Sequence, residues 1–415
     1  MTGHRAVRVA LLQPIWLVYR ARFFDELSKR LALKGIKMTV FFGKPQRGLT
    51  YSSMPESPGS RQFSFDYKVL PKIAYEGKLP ASPFHWKRSL VFFPSLIFQI
   101  TRGKYDVTIS DTTGELLNTV PLMVINKLLL GKKFVVWCGN NIKDNAIKAD
   151  DSFVKKVAYI FARVIYSNAD ASIAYGPGSK EFDIYMGTPP ERIFTAWITV
   201  DVQFFQEATK TFQSQIQPMK KMLGIQGKRI VLYVGVLEKR KKLENLIHAF
   251  KELKKSTDNI ALVLVGDGPH RDYLQNLCII EKITDVHFVG KIGYERIPLF
   301  YALSDVFVLP AQGGIAVAEA MSSGKPAIIT EECNALRSIP NLFKHGENVF
   351  ILKKDDIASL AEHIGKILAD PALASKMGRL SREIAEKYLS REKMLQGFEQ
   401  AIDYVIADRK QRTNI

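Results

Sequence analysis

Short apolar strands alternate with helical segments along most of the 415 residues, and this alternation constrains the fold more than any other feature. In the first half, strands are predicted at Val7–Leu12, Lys37–Phe42, Val107–Ser110, Phe134–Trp137 and Ala171–Ala174. Helices such as Phe23–Lys34 are predicted between these strands. In the second half they are predicted at Arg229–Val234, Ala261–Val265, Val286–Phe288, Val306–Leu309 and Pro326–Thr330. Apolar strands joined by helices are typical of parallel, doubly wound sheets. The sequence therefore predicts an α/β fold.

The length of the chain exceeds what one ordinary hydrophobic core accommodates, which predicts two domains of roughly 200 residues each. The strand pattern lapses at Val200–Gly227, where polar residues gather. We therefore expect an N-terminal domain over residues 1–200, a C-terminal domain over 201–385 and a terminal helical segment over 386–415. The final helical pattern itself covers about Lys376–Arg409. The proline-rich and glycine-rich stretch Gly43–Tyr75 is predicted to be a long irregular connection.

The net charge of +18 is concentrated in the first half. Residues 1–200 hold 28 Lys and Arg against 15 Asp and Glu, a balance of +13, whereas residues 201–415 hold 31 against 26, a balance of +5. Basic residues stand beside aromatic ones in Trp16–Phe24 and Phe84–Arg88, a mixture suited to an anionic membrane surface. Nucleic acid is disfavoured as a partner, because no helix-turn-helix, zinc module or RNA-binding strand signature accompanies the charge. A basic surface that is merely solvated stays an open alternative.

Cysteine usage and hydropathy bear on the compartment. Cys138, Cys278 and Cys333 lack the spacing of a disulfide framework or a metal site, which favours a reducing cytoplasm. The first apolar run is too short for the core of a signal peptide, and no apolar segment reaches the roughly 18 residues that a membrane-spanning helix needs. We therefore expect a cytoplasmic protein that contacts the inner face of the cell membrane peripherally.

One segment of the second half has the pattern of an anion site. Gly313-Gly314-Ile315 predicts a glycine turn that opens a short helix, with Glu319 one turn into it and Gly324-Lys325-Pro326 as a stop before an apolar strand. The start of a helix offers unpaired N–H groups and the positive end of its dipole, and glycines let a diphosphate approach the backbone. A carboxylate beside the phosphates accepts hydrogen bonds from ribose hydroxyls, so the pattern predicts a nucleotide-linked ligand.

This segment resembles the donor-site signature of glycosyltransferase family 4, the retaining nucleotide-sugar transferases of the GT-B architecture. The resemblance continues in the family's order through Tyr233–Lys242, Leu262–Pro269, His287–Gly290 and Phe300–Pro310. It covers essentially the full chain, with the more specific motifs after residue 228. It implies two tandem Rossmann-like domains that face a cleft, the first for the acceptor and the second for the nucleotide sugar, and a final helix that crosses back onto the first domain.

The resemblance also implies an activity. A hexosyltransferase of this kind moves a sugar from a nucleoside diphosphate to a lipid-linked or polysaccharide acceptor, with retention at the anomeric carbon. The chain contains no Asp-x-Asp triplet and no cluster with zinc spacing. We therefore expect metal independence, with the nucleoside-diphosphate sugar as donor substrate and no further cofactor.

A basic run, Lys239–Lys242, directly follows a predicted strand and turn. A cation fixed there stabilises the charge of a departing diphosphate, whereas cations are otherwise unfavourable at the start of a helix. Alignment on Gly235 puts Lys241 at the family's diphosphate lysine. The arginine that the family usually has after this glycine is replaced by Val236, so Arg240 or Lys239 is the expected substitute. A solvated helix start is the alternative.

The donor loop departs from the family at one acidic position. The family has a glutamate eight residues before the position of Glu319, and this chain has Ala311 followed by Gln312. Gln312 can hydrogen-bond a sugar hydroxyl but supplies no negative charge. The resemblance implies that Glu319 binds ribose, and that the nucleotide sugar is lined by the residues Gly235, Gly266, Gln312, Gly313, Gly314 and Ile315.

The first domain holds weaker candidates. After strand Phe134–Trp137 the family frequently has a histidine near the reacting sugar, and this chain has Cys138-Gly139-Asn140-Asn141. Asn140, our catalytic candidate there, or Asn141 would donate a hydrogen bond in its stead, and turn capping is the alternative for both. Tyr19-Arg20 either contacts an acceptor or its phosphate, or serves packing and solvation.

These residues imply a front-face displacement. Lys241, Arg240 and the backbone N–H groups of Gly313–Ile315 would absorb the charge of the leaving group, and the leaving phosphate oxygen would help to accept the acceptor's proton. Two other functions stay open. One is a nucleotide-sugar-binding partner subunit with little or no activity, motivated by the departures at Ala311 and Val236 and by the missing histidine. The other is a nucleotide-sugar epimerase or hydrolase on the same fold.

Overall fold

The computed structural model describes residues 5–13, 20–43, 64–71, 73–76, 89–111, 116–148, 150–197 and 200–413. These residues form two compact units. The first unit contains the described residues up to 197 together with 392–413, and the second contains 200–391.

The first unit is built on a parallel sheet. Its strands in chain order are β1 Val7–Gln13, β2 Ile36–Gly43, β3 Asp66–Leu70, β4 Ile73–Glu76, β5 Ser89–Phe92, β6 Val107–Asp111, β7 Lys133–Cys138, β8 Ala171–Ala174 and β9 Ile193–Thr195. The order across the sheet is β3-β2-β1-β6-β7-β8-β9, and neighbouring strands run parallel. β4 and β5 pair with each other as an antiparallel ribbon.

Helices cover both faces of this sheet, because successive side chains of a strand point to opposite faces and both sets are apolar. Before the second unit, the helices are α1 Ala21–Leu33, α2 Leu96–Arg102, α3 Leu116–Leu122, α4 Ile142–Asn145, α5 Phe153–Asn168 and α6 Pro177–Tyr185. Val9 and Leu11 of β1 join the core under α1, whereas Ala10 and Leu12 join the core under α2, α3, α5 and α6. Pro121 lacks the N–H that an α-helix needs, and α3 continues as a π-helix over Met123–Leu129.

The second unit repeats the architecture. Its strands are β10 Arg229–Val234, β11 Ile260–Val265, β12 Val286–Gly290, β13 Val306–Leu309, β14 Ala327–Thr330 and β15 Val349–Leu352, in the parallel order β12-β11-β10-β13-β14-β15. Its helices are α7 Val202–Thr211, α8 Gln213–Met222, α9 Leu243–Lys254, α10 Arg271–Ile280, α11 Ile297–Leu303, α12 Ile315–Ser322, α13 Ala335–Ser338, α14 Ile357–Ala369 and α15 Pro371–Tyr388. Residues of β11 are almost fully buried, as expected for a central parallel strand.

The last helix, α16 Arg391–Thr413, packs within the first unit. Phe398 is fully buried, with its ring centroid 5.0 Å from that of Phe23 and 4.9 Å from that of Trp137. At the surface, Arg30 of α1 forms ion pairs with Glu392 and Glu399. Apolar packing and charge complementarity thus both hold α16 against the first unit.

The structure confirms the α/β class and the predicted strands, and it corrects three local expectations. Asp66–Leu70, inside the stretch predicted as irregular, is a strand that pairs in parallel with β2. The terminal pattern is two helices, α15 and α16, because the chain leaves helical geometry at Leu389 and Ser390. No Gly or Pro marks this bend in the sequence. Phe23 and Phe24 are buried, so this part of Trp16–Phe24 is not an exposed surface.

Some expectations fall outside the described residues, namely those for Trp16, Tyr19 and Phe84–Arg88. Among the helices of the described residues, none has the length and hydropathy needed to cross a bilayer.

Candidate functional site

The candidate site lies in the second unit, where the strand order reverses. The chain proceeds from β10 outward to β11 and β12, and then returns to place β13 on the other side of β10. The loops after β10 and β13 therefore leave neighbouring strands in opposite directions. Open parallel sheets bind ligands in the crevice at such a switch point, outside the carboxyl ends of the strands. The basic run Lys239–Lys242 and the glycine turn Gly313-Gly314 lie in these two loops.

The glycines after β10 and β11 allow two backbone segments to meet. Gly266 has a φ of +133°, and a Cβ there would lie 1.9 Å from the carbonyl oxygen of Gly235. Gly235 has a φ of +156°, and its N–H donates to the carbonyl of Val265 at 2.9 Å. Close packing of the two loops therefore accounts for both glycines without a ligand.

Lys241 joins the two loops of the site. It ends a short 3₁₀ turn, Lys239–Lys241, and its Nζ donates to the carbonyl oxygen of Gln312 at 2.6 Å. A Cβ on Gly313 would lie 3.5 Å from the same Nζ. The structure thus brings together Lys241, Gln312 and Gly313, and it holds an ammonium group beside the glycine turn.

Two other members of the basic run, Arg240 and Lys242, have acidic partners, and Lys239 is exposed. Arg240 donates from Nε to Glu238 at 2.9 Å and from Nη1 to the side-chain oxygen of Gln312 at 3.4 Å. Lys242 forms ion pairs with Glu332 and Asp355. The partly buried Lys241, whose Nζ donates to a neutral carbonyl, is therefore the member of the run best placed to meet an anion at the glycine turn.

The glycine turn leads into α12 as predicted, with Gly314 as its N-cap. The N–H of Gly313 donates to the side-chain oxygen of Asn334 at 3.0 Å. This corrects the expectation that Gly313 offers its N–H to an anion. The N–H groups of Gly314, Ile315 and Ala316 have no acceptor among the described residues. They are the donors that the start of a helix leaves unpaired.

Glu319 lies on the buried side of α12 with 5% of its surface exposed. The hydroxyl of Tyr301 donates to its Oε2 at 3.0 Å and to the carbonyl of Ala316 at 2.9 Å. Burial raises the pKa of Glu319 to about 8, and the bond from Tyr301 opposes part of that rise. Within the described part of the chain, no group donates to Oε1 of Glu319. This oxygen is available to a ligand hydroxyl.

The position where the resemblance calls for a second acid is closed. Ala311 is fully buried, and the next side chain, Gln312, is half-buried beside Arg240. An amide therefore lies beside Arg240, one residue after the position of the missing acid. It can donate and accept hydrogen bonds but adds no charge.

Asn140 belongs to the first unit, away from this group in the chain, and follows β7. It is 95% buried, since 5% of its surface is exposed, and its Nδ2 has no acceptor among the described residues. Near it in sequence, a Cβ on Gly139 would lie 2.4 Å from the ring of Tyr175. Arg20 is buried at the same end of the sheet, 4.5 Å from the centroid of Trp137, and donates to the Tyr175 hydroxyl at 2.6 Å.

Sequence analysis missed two residues of the site. Tyr301 holds Glu319, and Asn334 holds the glycine turn. The sequence pattern indicates a binding role for neither residue. Tyr301 fits the pattern of an apolar helix residue, and Asn334 follows Gly313 by 21 positions. No group of three His, Cys, Asp or Glu side chains suited to a metal ion occurs among the residues that the structure describes.

Comparison with known proteins finds a family match within the second unit and a shared fold. Residues 215–384 match the family model described as "Glycosyl transferases group 1". The sulfoquinovosyl transferase SQD2 of Arabidopsis thaliana is 24% identical over 308 residues, which cover 72% of this chain and 57% of the relative. The GDP-mannose-dependent alpha-(1-6)-phosphatidylinositol monomannoside mannosyltransferase of Mycolicibacterium smegmatis is 28% identical over 178 residues, covering 40% and 46%. The chain thus spans about half the length of these curated relatives.

A solved structure of Anabaena Alr3699/HepE in complex with UDP superposes with a TM-score of 0.71 and 17% identity, covering 96% of this chain and 99% of that one. At this identity the likeness shows the fold. With two Rossmann-like parallel-sheet units, the chain has the GT-B fold that the sequence predicted.

Proposed function

We propose that this chain, whose residues 215–384 match the group 1 glycosyltransferase model, transfers a sugar from a nucleoside diphosphate to an acceptor with retention at the anomeric carbon. The donor occupies the crevice at the switch between β10 and β13. The UDP in the similarly folded Anabaena protein supports a nucleotide donor.

The contact between Lys241 and Gln312 is the observation that carries this proposal. It holds a cation 2.6 Å from the carbonyl that precedes the glycine turn, next to a helix start whose N–H groups at Gly314 and Ile315 have no acceptor in the described part of the chain. Negative charge develops on the diphosphate as the glycosyl bond breaks. Fixed donors and a fixed cation stabilise that charge more in the transition state than in the ground state.

The remaining residues orient the reactants. Oε1 of Glu319 accepts hydrogen bonds from the ribose, while Tyr301 holds the other carboxyl oxygen. Gln312 hydrogen-bonds the donor sugar, and Arg240 assists at the diphosphate. The leaving phosphate oxygen takes the proton from the acceptor hydroxyl on the face where the new bond forms. Asn140, in the first unit, is proposed as a hydrogen-bond donor in the reaction. The reaction needs no metal ion, because Lys241 and the N–H groups supply the positive charge.

A lipid-linked or polysaccharide acceptor fits the chain best. The first 200 residues carry most of the net positive charge, and a relative from Mycolicibacterium is named for a phosphatidylinositol substrate. We also propose that this protein is cytoplasmic, contacts an anionic membrane surface peripherally and does not bind nucleic acid.

A second function is favoured by one observation. Ala311 is fully buried and Gln312 supplies no charge, so half of the acidic pair is missing from the donor loop. A nucleotide-sugar-binding partner subunit with weak catalysis would tolerate this loss. The two functions differ in turnover and share the binding site.

The test is release of nucleoside diphosphate from UDP- and GDP-sugars in EDTA, with a lipid extract as the acceptor source. We expect turnover by the wild type and a loss of about 100-fold in Lys241→Ala, the usual effect of removing one group that stabilises a developing anion. Lys376→Ala, an exposed lysine on α15 of the same unit, is the matched control and should retain the wild-type rate. Binding without turnover would favour the partner subunit, and equal rates in both variants would remove Lys241 from the mechanism.

A further inference from the structure

Three of the helices that pack on one face of the first unit's sheet, beside α6, are α2, α3 with its π-helical continuation, and α5. Their inner sides share one core, to which α2 contributes Ile100, α3 contributes Leu122 and α5 contributes Ile165. Their outer sides therefore point away from the sheet. We call the outer surface of these three elements the outer helical face.

The outer helical face is apolar where a solvated surface would be polar. Phe153 is 81% exposed and Leu129 is 72% exposed. Large exposed side chains occur on all three elements, including Phe98 on α2, Leu128 on the π-helix and Ile160 on α5. Scattered exposed leucines need no explanation, but a contiguous apolar surface marks a binding surface.

The charge on this face has one sign. The segments Leu96–Arg102, Leu116–Leu129 and Phe153–Asn168 contain no Asp or Glu. Their basic residues include Arg102, Lys156 and Arg163, all exposed, and the guanidinium of Arg102 lies 5.7 Å from the ring centroid of the exposed Phe98. Lys127 and Lys155 pair with Asp170 and Asp151 at the edge of the face. The elements themselves thus combine apolar side chains with positive charge alone.

We propose that the outer helical face docks on the anionic surface of a lipid bilayer. Apolar side chains enter the boundary between head groups and acyl chains, and Lys and Arg attract the anionic head groups. The inference names the surface for the membrane contact of the proposed function and rests on that part of it.

Charge selects the bilayer over a second copy of the chain. A symmetric contact between two outer helical faces would place the Lys and Arg side chains of one face against those of the other, and these helices contain no Asp or Glu to compensate them. Like charges facing each other across an interface oppose association. An anionic bilayer instead complements the positive charge and accepts the apolar side chains.

The test measures co-sedimentation of the full chain with vesicles of phosphatidylglycerol and phosphatidylcholine, compared with phosphatidylcholine alone. Lys156→Glu with Arg163→Glu should weaken binding to the anionic vesicles at least about 30-fold, since each basic residue near the surface contributes about 1 kcal/mol. Leu128→Ser with Leu129→Ser should weaken it about tenfold or more through lost apolar contact.

Matched controls come from the second unit. Ile279 and Ile280 are 73% and 77% exposed, and Lys376 and Arg379 are exposed on α15. Ile279→Ser with Ile280→Ser and Lys376→Glu with Arg379→Glu should leave vesicle binding unchanged.

Three results would overturn the proposal: no binding to anionic vesicles, equal losses in the controls, or a dimer in sedimentation velocity that Leu128→Ser with Leu129→Ser dissolves. Titration of the same proteins with UDP and GDP measures nucleotide binding at the donor site separately from vesicle binding. Retained nucleotide binding without vesicle binding would reject the surface alone, and the reverse would reject the donor site alone.

Discussion

Glu319 is both buried and titratable near neutral pH. Burial on α12 raises its pKa to about 8, so its carboxyl is largely protonated at pH 7. An ionised carboxylate accepts hydrogen bonds from ribose hydroxyls more strongly than a protonated carboxyl does. In the proposed site, nucleotide binding and loss of the Glu319 proton are therefore linked.

This linkage predicts how nucleotide affinity depends on pH. Because the ligand prefers the ionised form, affinity should rise with pH, by up to about tenfold per unit below pH 8, and level off above it. The measurement is the Kd of UDP or GDP by titration calorimetry between pH 6.5 and 9. Glu319→Gln cannot ionise, and its profile should be flat. A wild-type profile parallel to that of the variant would show that Glu319 does not touch the nucleotide.

At the residue scale, the donor motif predicted that Lys241 and Gln312 lie at the glycine turn. It did not predict the side chains that hold Glu319 and Gly313 in place. The proximity of Lys241 to Gln312 and Gly313 follows from two motifs that end adjacent strands. Tyr301 lies in the buried helix α11, and Asn334 lies in the loop before α13. Only the packing of the folded chain shows that they hold Glu319 and Gly313. For the same reason, the sequence did not predict that the N–H of Gly313 donates to Asn334.

Among the elements, α16 shows how a terminal helix is held by packing. Phe398 lies edge-on to Trp137 of β7 and near Phe23 of α1, and Arg30 binds Glu392 at the surface. Exposed ion pairs contribute little, whereas a buried aromatic ring contributes several kcal/mol. Apolar packing should therefore dominate the docking of α16.

Phe398→Ala should destabilise the first unit by about 3–5 kcal/mol, because it removes a fully buried ring and leaves a cavity. We expect a lower Tm and faster proteolysis near residue 391, with faster hydrogen exchange in α16. Tyr404→Ala, which truncates a ring 37% exposed on the same helix, should have a much smaller effect. Equal effects of the two substitutions would mean that Phe398 does not anchor the helix.

Strands with two apolar faces were predictable, whereas β3 and β9 were not. β10 and β11 are continuous apolar runs, which only burial explains. β3 was missed because its sequence, Asp66–Leu70, is mostly exposed at the edge of the sheet, and β9 has three residues. The bend between α15 and α16 was missed because no Gly or Pro stands at Leu389 and Ser390 to mark it in the sequence.

For the whole molecule, one division of the chain lies at residue 198, next to the lapse of the strand pattern, but the second division, at residue 391, has no such signal in the sequence. Residues 392–413 belong to the first unit, although they follow the second in sequence. Neither composition nor periodicity indicates that the end of the chain packs on the first unit. This packing was expected from the family resemblance alone. The outer helical face was likewise not anticipated, since the inner and outer sides of α5 are both apolar and only the packing distinguishes them.

The central claim is that a nucleoside diphosphate binds in the second unit at the switch between β10 and β13. The most direct measurement is calorimetric titration of UDP and GDP without metal into the wild type, Lys241→Ala and Lys376→Ala. We predict saturable binding of one nucleotide, weakened about 10- to 100-fold in Lys241→Ala, as for loss of a charge-assisted hydrogen bond, and unchanged in Lys376→Ala. Absence of saturable binding to the wild type, or equal affinity in all three proteins, would contradict the claim.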